Sequence, residues 1–204
     1  MALGLWRVSL AILGFALLPV LGADQGLRAQ EHPPSEIDYL LLATNRTSTM
    51  QKEMQEAAEA GYGFAGLMGG STSFGGSEVV VVMQRQPDSN PRFAYRLLAT
   101  SKTSTMQKEL QEAGEAGFSY LEQTVFESAF GGKETVVILE RDKDLAQLPF
   151  EYQLLATKRT STMQKELSEA GAAGFQFVGV TVSSTAFGGE EVVAILRRPI
   201  PGGE

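Results

Sequence analysis

The chain contains no cysteine. Disulfides, thiol catalysis, zinc–thiolate sites and lipid attachment at a cysteine are therefore excluded. Histidine is almost absent. The single one, His32, lies in a Pro-containing segment ahead of the first strand-like stretch, so the repeated part of the chain cannot assemble a Ser–His–Asp set. Positive charge is also short. Lys and Arg number 17 against 24 Asp and Glu, for a net charge of −7. No basic excess is available to displace counterions, and a general binder of nucleic acid or anionic membrane is not expected. No cofactor motif is present, and none is expected.

Long apolar runs are scarce as well. The longest is Val8 to Leu21, about 14 residues broken by Pro19, which is short of the roughly 20 that a spanning helix needs. Arg7 precedes it, and the small residues Gly22, Ala23 and Ala29 follow. That order reads as a secretory signal and processing region over residues 1–29, with cleavage after Ala23 or after Ala29. The alternative is an uncleaved anchor, which would be the only membrane contact. Export without cysteine suggests a periplasmic or secreted bacterial protein held together by packing alone.

What the chain has in abundance is self-similarity. Tyr39-Leu-Leu-Leu-Ala-Thr44 returns at Tyr95–Thr100 and Tyr152–Thr157. Thr-Ser-Thr-Met-Gln-Lys-Glu occurs unchanged at 47–53, 103–109 and 160–166, and Phe-Gly-Gly recurs at 74–76, 130–132 and 187–189. After a linker at 30–36 the chain therefore divides into three repeats, at 37–86, 93–142 and 150–199, with a short tail at 200–204.

Each repeat carries the same signals. An alternating stretch (Ile37, Tyr39, Leu41 in the first copy) predicts a half-buried strand. A Thr/Ser cluster then starts a helix, and Ser48 with Gln51, Ser104 with Gln107 and Ser161 with Gln164 fit a capping box. The helix has a narrow stripe of Met50, Met54, Ala57 and Ala58. Gly61, Gly117 and Gly174 end it as left-handed caps, each followed by an aromatic. A second strand follows, interrupted by glycines in the first copy, and Phe-Gly-Gly turns the chain. The third strand is an unbroken apolar run, such as Val79–Met83, which implies burial on both faces and a central position.

The predicted fold is thus α+β. It comprises three tandem βαββ modules, each a three-stranded sheet of order 1-3-2 with one helix on one face. A module this small is marginal alone, and the second face of each central strand needs a cover. The modules are expected to cover one another in one compact pseudo-threefold body.

The module resembles the small bacterial domain of unknown function 4177. The resemblance lies in an aromatic-x-Tyr strand, a short helix, the step Ala58-Glu59-Ala60-Gly61-Tyr62, and a last strand running into Arg198-Pro199. It implies the fold and no activity.

Sameness among the copies is concentrated at one end. Copies one and two agree at 18 of the 23 positions from Tyr39–Gly61 against Tyr95–Gly117. The constant region surrounds the helix start, and the order 1-3-2 puts that start beside the Phe-Gly-Gly hairpin. The candidate ligand-binding residues are Arg46, Thr47, Ser48 and Lys52; Lys102, Thr103, Ser104 and Lys108; and Arg159, Thr160, Ser161 and Lys165. Two cations stand at a helix end that ordinarily prefers acids. Hydroxyls, free N–H groups and cations would suit a phosphate, sulfate or carboxylate. The simpler reading has the Ser/Thr residues capping the helix, with Lys52 paired to Glu56 or Glu78.

Three functions follow from this reading. The first is an exported, non-catalytic structural or binding module with no partner named. The second is a binder of small anions or anionic glycans at the three loops. The third is a hydrolase using carboxylates such as Glu78, disfavoured because catalytic sites seldom come in triplicate.

Overall fold

The computed structural model describes residues 36–73, 76–127, 132–146, 148–184 and 189–200, all within the compact unit Ser35–Glu204. The signal-like region, the Phe-Gly pairs ahead of Gly76 and Gly132, and the third Phe-Gly-Gly up to Gly188 lie outside the described residues.

Each repeat folds as a βαββ module. The first comprises β1 (Asp38–Thr44), α1 (Thr47–Glu59), β2 (Gly63–Thr72) and β3 (Gly76–Arg85). The second comprises β4 (Phe93–Thr100), α2 (Thr103–Glu115), β5 (Ser119–Glu127) and β6 (Lys133–Asp142). The third comprises β7 (Phe150–Thr157), α3 (Thr160–Ala172), β8 (Gln176–Ser184) and β9 (Glu190–Pro199). The sheets are β1-β3-β2, β4-β6-β5 and β7-β9-β8, antiparallel throughout. The unbroken apolar strand is central in every one, as double burial requires. Each second strand carries one irregularity, between Phe64 and Gly66, Tyr120 and Glu122, and Phe177 and Gly179.

The helices end as their sequence demands. Gly61, Gly117 and Gly174 have φ of 87°, 79° and 86°, a region that only glycine enters freely. The next residue closes back: the amides of Tyr62, Phe118 and Phe175 donate to the carbonyls of Ala57, Ala113 and Ala170. An arginine at the end of the central strand completes the cap. Arg85, Arg141 and Arg198 donate to the carbonyls of Ala60, Ala116 and Ala173. Each also lies 4.5–4.9 Å from the ring of Tyr62, Phe118 or Phe175. Cation, ring and helix C-terminus satisfy one another.

The helix starts differ from expectation. Helices begin at Thr47, Thr103 and Thr160, so the N-cap positions are Arg46, Lys102 and Arg159, and none has a side-chain cap. Instead the N-cap amides donate to the hydroxyls of Thr44, Thr100 and Thr157, two residues back. The capping box fails in all three copies because the helix begins one residue early, which puts Ser48, Ser104 and Ser161 inside the first turn and not at the N-cap.

The modules pack into one body, but the threefold sequence relation is not closed in space. The layers alternate in a row: sheet, helix, sheet, helix, sheet, helix. The first core joins Met50, Met54 and Ala57 of α1 to Val79, Val81 and Met83 of its own sheet and to Tyr95, Val136 and Ile138 of the next. The second joins Met106, Leu110 and Ala113 of α2 to Val137 and Leu139, and to Tyr152 and Ile195 of the third module. The third contains α3 and its own sheet alone, around Leu155, Ala170, Ala194 and Leu196. Each of the first two helices therefore lies between two sheets, and the second face of each following sheet is covered by the previous module's helix together with its second strand, β2 on β5 and β5 on β8. Burial on that scale stabilises by about 1.5–3 kcal/mol for a fully enclosed Met or Leu side chain.

The ends of the row show its direction. Tyr95 and Tyr152 are 3% and 2% exposed, whereas Tyr39, the same position in module one, is 62% exposed. At the other end α3 buries only Ala170, whereas α1 and α2 each bury four residues.

Candidate functional site

The residues singled out by sequence lie on three separate helix starts. Arg46, Lys102 and Arg159 are exposed N-caps in extended conformation. Ser48, Ser104 and Ser161 are exposed on the first turn. Lys52, Lys108 and Lys165 each pair with the Glu one turn on, Glu56, Glu112 and Glu169, at 3.6, 3.8 and 3.7 Å. These pairs run along the helix surface, not across to the sheet edge, and are worth about 0.3–0.5 kcal/mol each.

The acids expected beside those loops have other partners. Glu78 is buried and accepts from the Thr72 hydroxyl. Glu191 accepts from the Thr103 hydroxyl at 2.8 Å, so the start of α2 is tied to the third module's central strand. Of the threonines, Thr103 is thus a junction residue, whereas Thr160 is exposed at the end of the row. Among the described residues no group of three or more His, Cys, Asp or Glu could hold a metal ion, and no helix is long and apolar enough to cross a membrane.

The most specific chemistry lies between modules, where sequence reasoning did not look. In the order 1-3-2 the first strand is an edge, with unpaired backbone groups. The Gln51 side-chain amide donates to the Tyr95 carbonyl at 3.0 Å and its oxygen accepts the Leu97 amide at 2.6 Å. The Gln55 oxygen accepts the Tyr95 amide. The second junction repeats this: Gln107 donates to the Tyr152 carbonyl at 2.8 Å and accepts the Leu154 amide at 2.7 Å, and Gln111 accepts the Tyr152 amide at 3.1 Å. A primary amide presents one donor and one acceptor side by side, as a strand does. Two glutamines one turn apart on a helix thus stand in for a missing neighbouring strand.

The tyrosines answer from the other side. The Tyr95 hydroxyl accepts the Phe64 amide at 2.8 Å and donates to Glu140 at 2.8 Å. The Tyr152 hydroxyl accepts the Tyr120 amide at 2.7 Å and donates to the Phe118 carbonyl at 3.1 Å. Burial pushes the Tyr95 and Tyr152 hydroxyls up from their ordinary pKa, and pushes Tyr120 to about 12. All three are neutral at any ordinary pH. Burial also raises the Glu140 carboxyl, and the Tyr95 hydrogen bond offsets part of that rise.

Glycines set the approach. A Cβ on Gly114 would fall 2.3 Å from the Phe150 carbonyl oxygen, and one on Gly69 would fall 2.8 Å from the Thr124 side chain. Neither approach tolerates a side chain without movement of a neighbouring sheet.

The signals for these junctions were present in the sequence. Gln51 is constant within the repeated heptapeptide, and Gln55 and Gln111 give way to Ser168 in the last copy, the copy whose helix packs only on its own sheet. Comparison with protein-family models, with curated proteins and with solved structures gave no match.

Proposed function

We propose that this chain is an exported, non-catalytic repeat protein that serves as a structural or binding module outside the cytoplasm. The observation that carries this reading is the use made of the constant heptapeptide in the first two copies. Met50 and Met106 fill the cores, Gln51 and Gln107 engage the next module's edge strand, and Lys52 and Lys108 pair along the helix. In those two copies the Met, Gln and Lys of the heptapeptide are used within the chain, which supports a structural role. The resemblance to domain of unknown function 4177 supports the module's fold and brings no activity with it. The basic, apolar and small-residue order of the N-terminus supports export; N-terminal sequencing of the mature protein should then begin at Asp24 or Gln30.

The alternative, an anion or glycan binder, draws on the cationic helix starts. A thermal-shift series separates the two. Sulfate and a sulfated glycan should move the melting temperature of the wild-type chain and of the triple variant Lys52→Gln, Lys108→Gln, Lys165→Gln by the same amount. A rise of several degrees in the wild type that the variant loses would replace the structural reading with the binding one.

A further inference from the structure

The row has two unlike ends, and each lacks the partner that its counterparts inside the chain possess. At the first end, the outer face of sheet one presents Tyr39, Leu41 and Met68 to solvent, with exposures of 62%, 54% and 50%. The pairings Leu41↔Val82 and Met68↔Val80 put these side chains on the face away from α1. The same face of sheets two and three is covered by α1 with β2 and by α2 with β5. At the other end, the helix-side face of sheet three presents Phe177 and Val180 beside α3, at 56% and 54%. Their counterparts in module one, Phe64 and Leu67, pack into the first junction.

We infer that copies of this chain associate head to tail, α3 and sheet three of one copy docking on the outer face of sheet one of the next. The proposal rests on the structural-module reading and names its partner. The chain itself supplies the template, because this interface already occurs twice within it. α3 keeps Gln164, the counterpart of Gln51 and Gln107, and on a neighbouring copy it would meet the Tyr39 carbonyl and Leu41 amide. Among the described residues Gln164 makes only a local contact, with Ser168 at 3.3 Å. Gly171 is the second indication. It matches Gly114, whose missing side chain admits the Phe150 carbonyl, yet a Cβ on Gly171 would meet nothing within 4 Å. A glycine inside a helix costs about 1 kcal/mol relative to alanine, and among the described residues Gly171 makes no approach that would offset that. Ser168 replaces the second glutamine, so this junction has one hydrogen bond fewer than the internal ones and is weaker than they are.

An interface between unlike faces closes into a ring or runs on as a filament. Two charge variants at exposed positions test it: Leu41→Glu blocks the head, Phe177→Glu blocks the tail, and neither side chain is part of a core. In sedimentation velocity over about 1–100 µM, the wild-type chain should show an average mass that rises with concentration past that of a dimer. Each variant alone should stay monomeric. An equimolar mixture of the two should stop at a one-to-one dimer, because only one head and one tail remain. A wild-type chain that stays monomeric would overturn the proposal. So would self-association of Phe177→Glu alone, which would mean that two heads meet. A marked loss of thermal stability in monomeric Leu41→Glu would also overturn it, by showing that the N-terminal segment already covers that face. None of these outcomes touches the structural-module reading, which falls only on the anion series.

Discussion

Replacing Gln107 by alanine removes one side chain and leaves two backbone groups of an edge strand without partners. The Tyr152 carbonyl loses a donor at 2.8 Å and the Leu154 amide loses an acceptor at 2.7 Å. Both sit in partly buried surroundings. A typical hydrogen bond contributes about 1 kcal/mol net, and a buried group left unpaired costs about 1–3 kcal/mol. Two such groups, one of them partly rescued by water, give a loss of about 2–4 kcal/mol. For a domain of this size each kcal/mol moves the melting temperature by about 2–4 °C, so Gln107→Ala should melt roughly 5–15 °C lower. Gln164→Ala is the internal control. It stands in the same heptapeptide on the same helical turn but faces no strand, and an exposed substitution of this kind should stay within about 0.5 kcal/mol. Both are measured by circular-dichroism melts at low micromolar concentration. Equal shifts for the two variants would refute the argument, because they would mean that the glutamine acts within its own helix and not across a junction.

The glycines offer a second matched pair. Gly114→Ala should destabilise by about 1–3 kcal/mol through its clash with the Phe150 carbonyl, while Gly171→Ala should stabilise the monomer by up to about 1 kcal/mol; urea midpoints check both. Glu140 gives a pH prediction. Its carboxyl is raised above its ordinary value near 4.5 chiefly by burial. The unfolded chain therefore ionises first, and the stability that the protonated group supplies is lost as pH rises from there through the folded value. Glu140→Gln keeps an acceptor for the Tyr95 hydroxyl and removes that loss. Its melting temperature should match the wild type near pH 4 and equal or exceed it at pH 7, and a lower value at pH 7 would contradict the assignment.

Strand order, helix positions and the left-handed glycine caps were legible because three copies print the same local rules three times. Val79–Met83 reads as central because only a doubly covered strand can be apolar throughout. Gln51 was misread because local spacing made it a capping partner for Ser48, whereas its real partner lies 44 residues away. The helix starts at Thr47, one residue before Ser48, so the box could not form at that spacing. The row was misread as a pseudo-threefold body because periodicity shows that a second face needs a cover without saying which module supplies it. The one hint in the sequence was a departure from the repeat, Ser168 where Gln55 and Gln111 stand in the other copies. The lysines of the candidate loops pair with neighbouring acids on the same helix.

The central claim is that each helix covers the sheet that follows it, in a row with open ends. Amide hydrogen exchange at three equivalent leucines tests it most directly, in the Phe177→Glu variant so that no second copy intervenes. The Leu97 and Leu154 amides, held by Gln51 and Gln107, should be strongly protected, and the equivalent Leu41 amide should exchange orders of magnitude faster. Equal protection at all three would mean a closed ring, equal exposure would mean three separate modules, and either result would contradict the account.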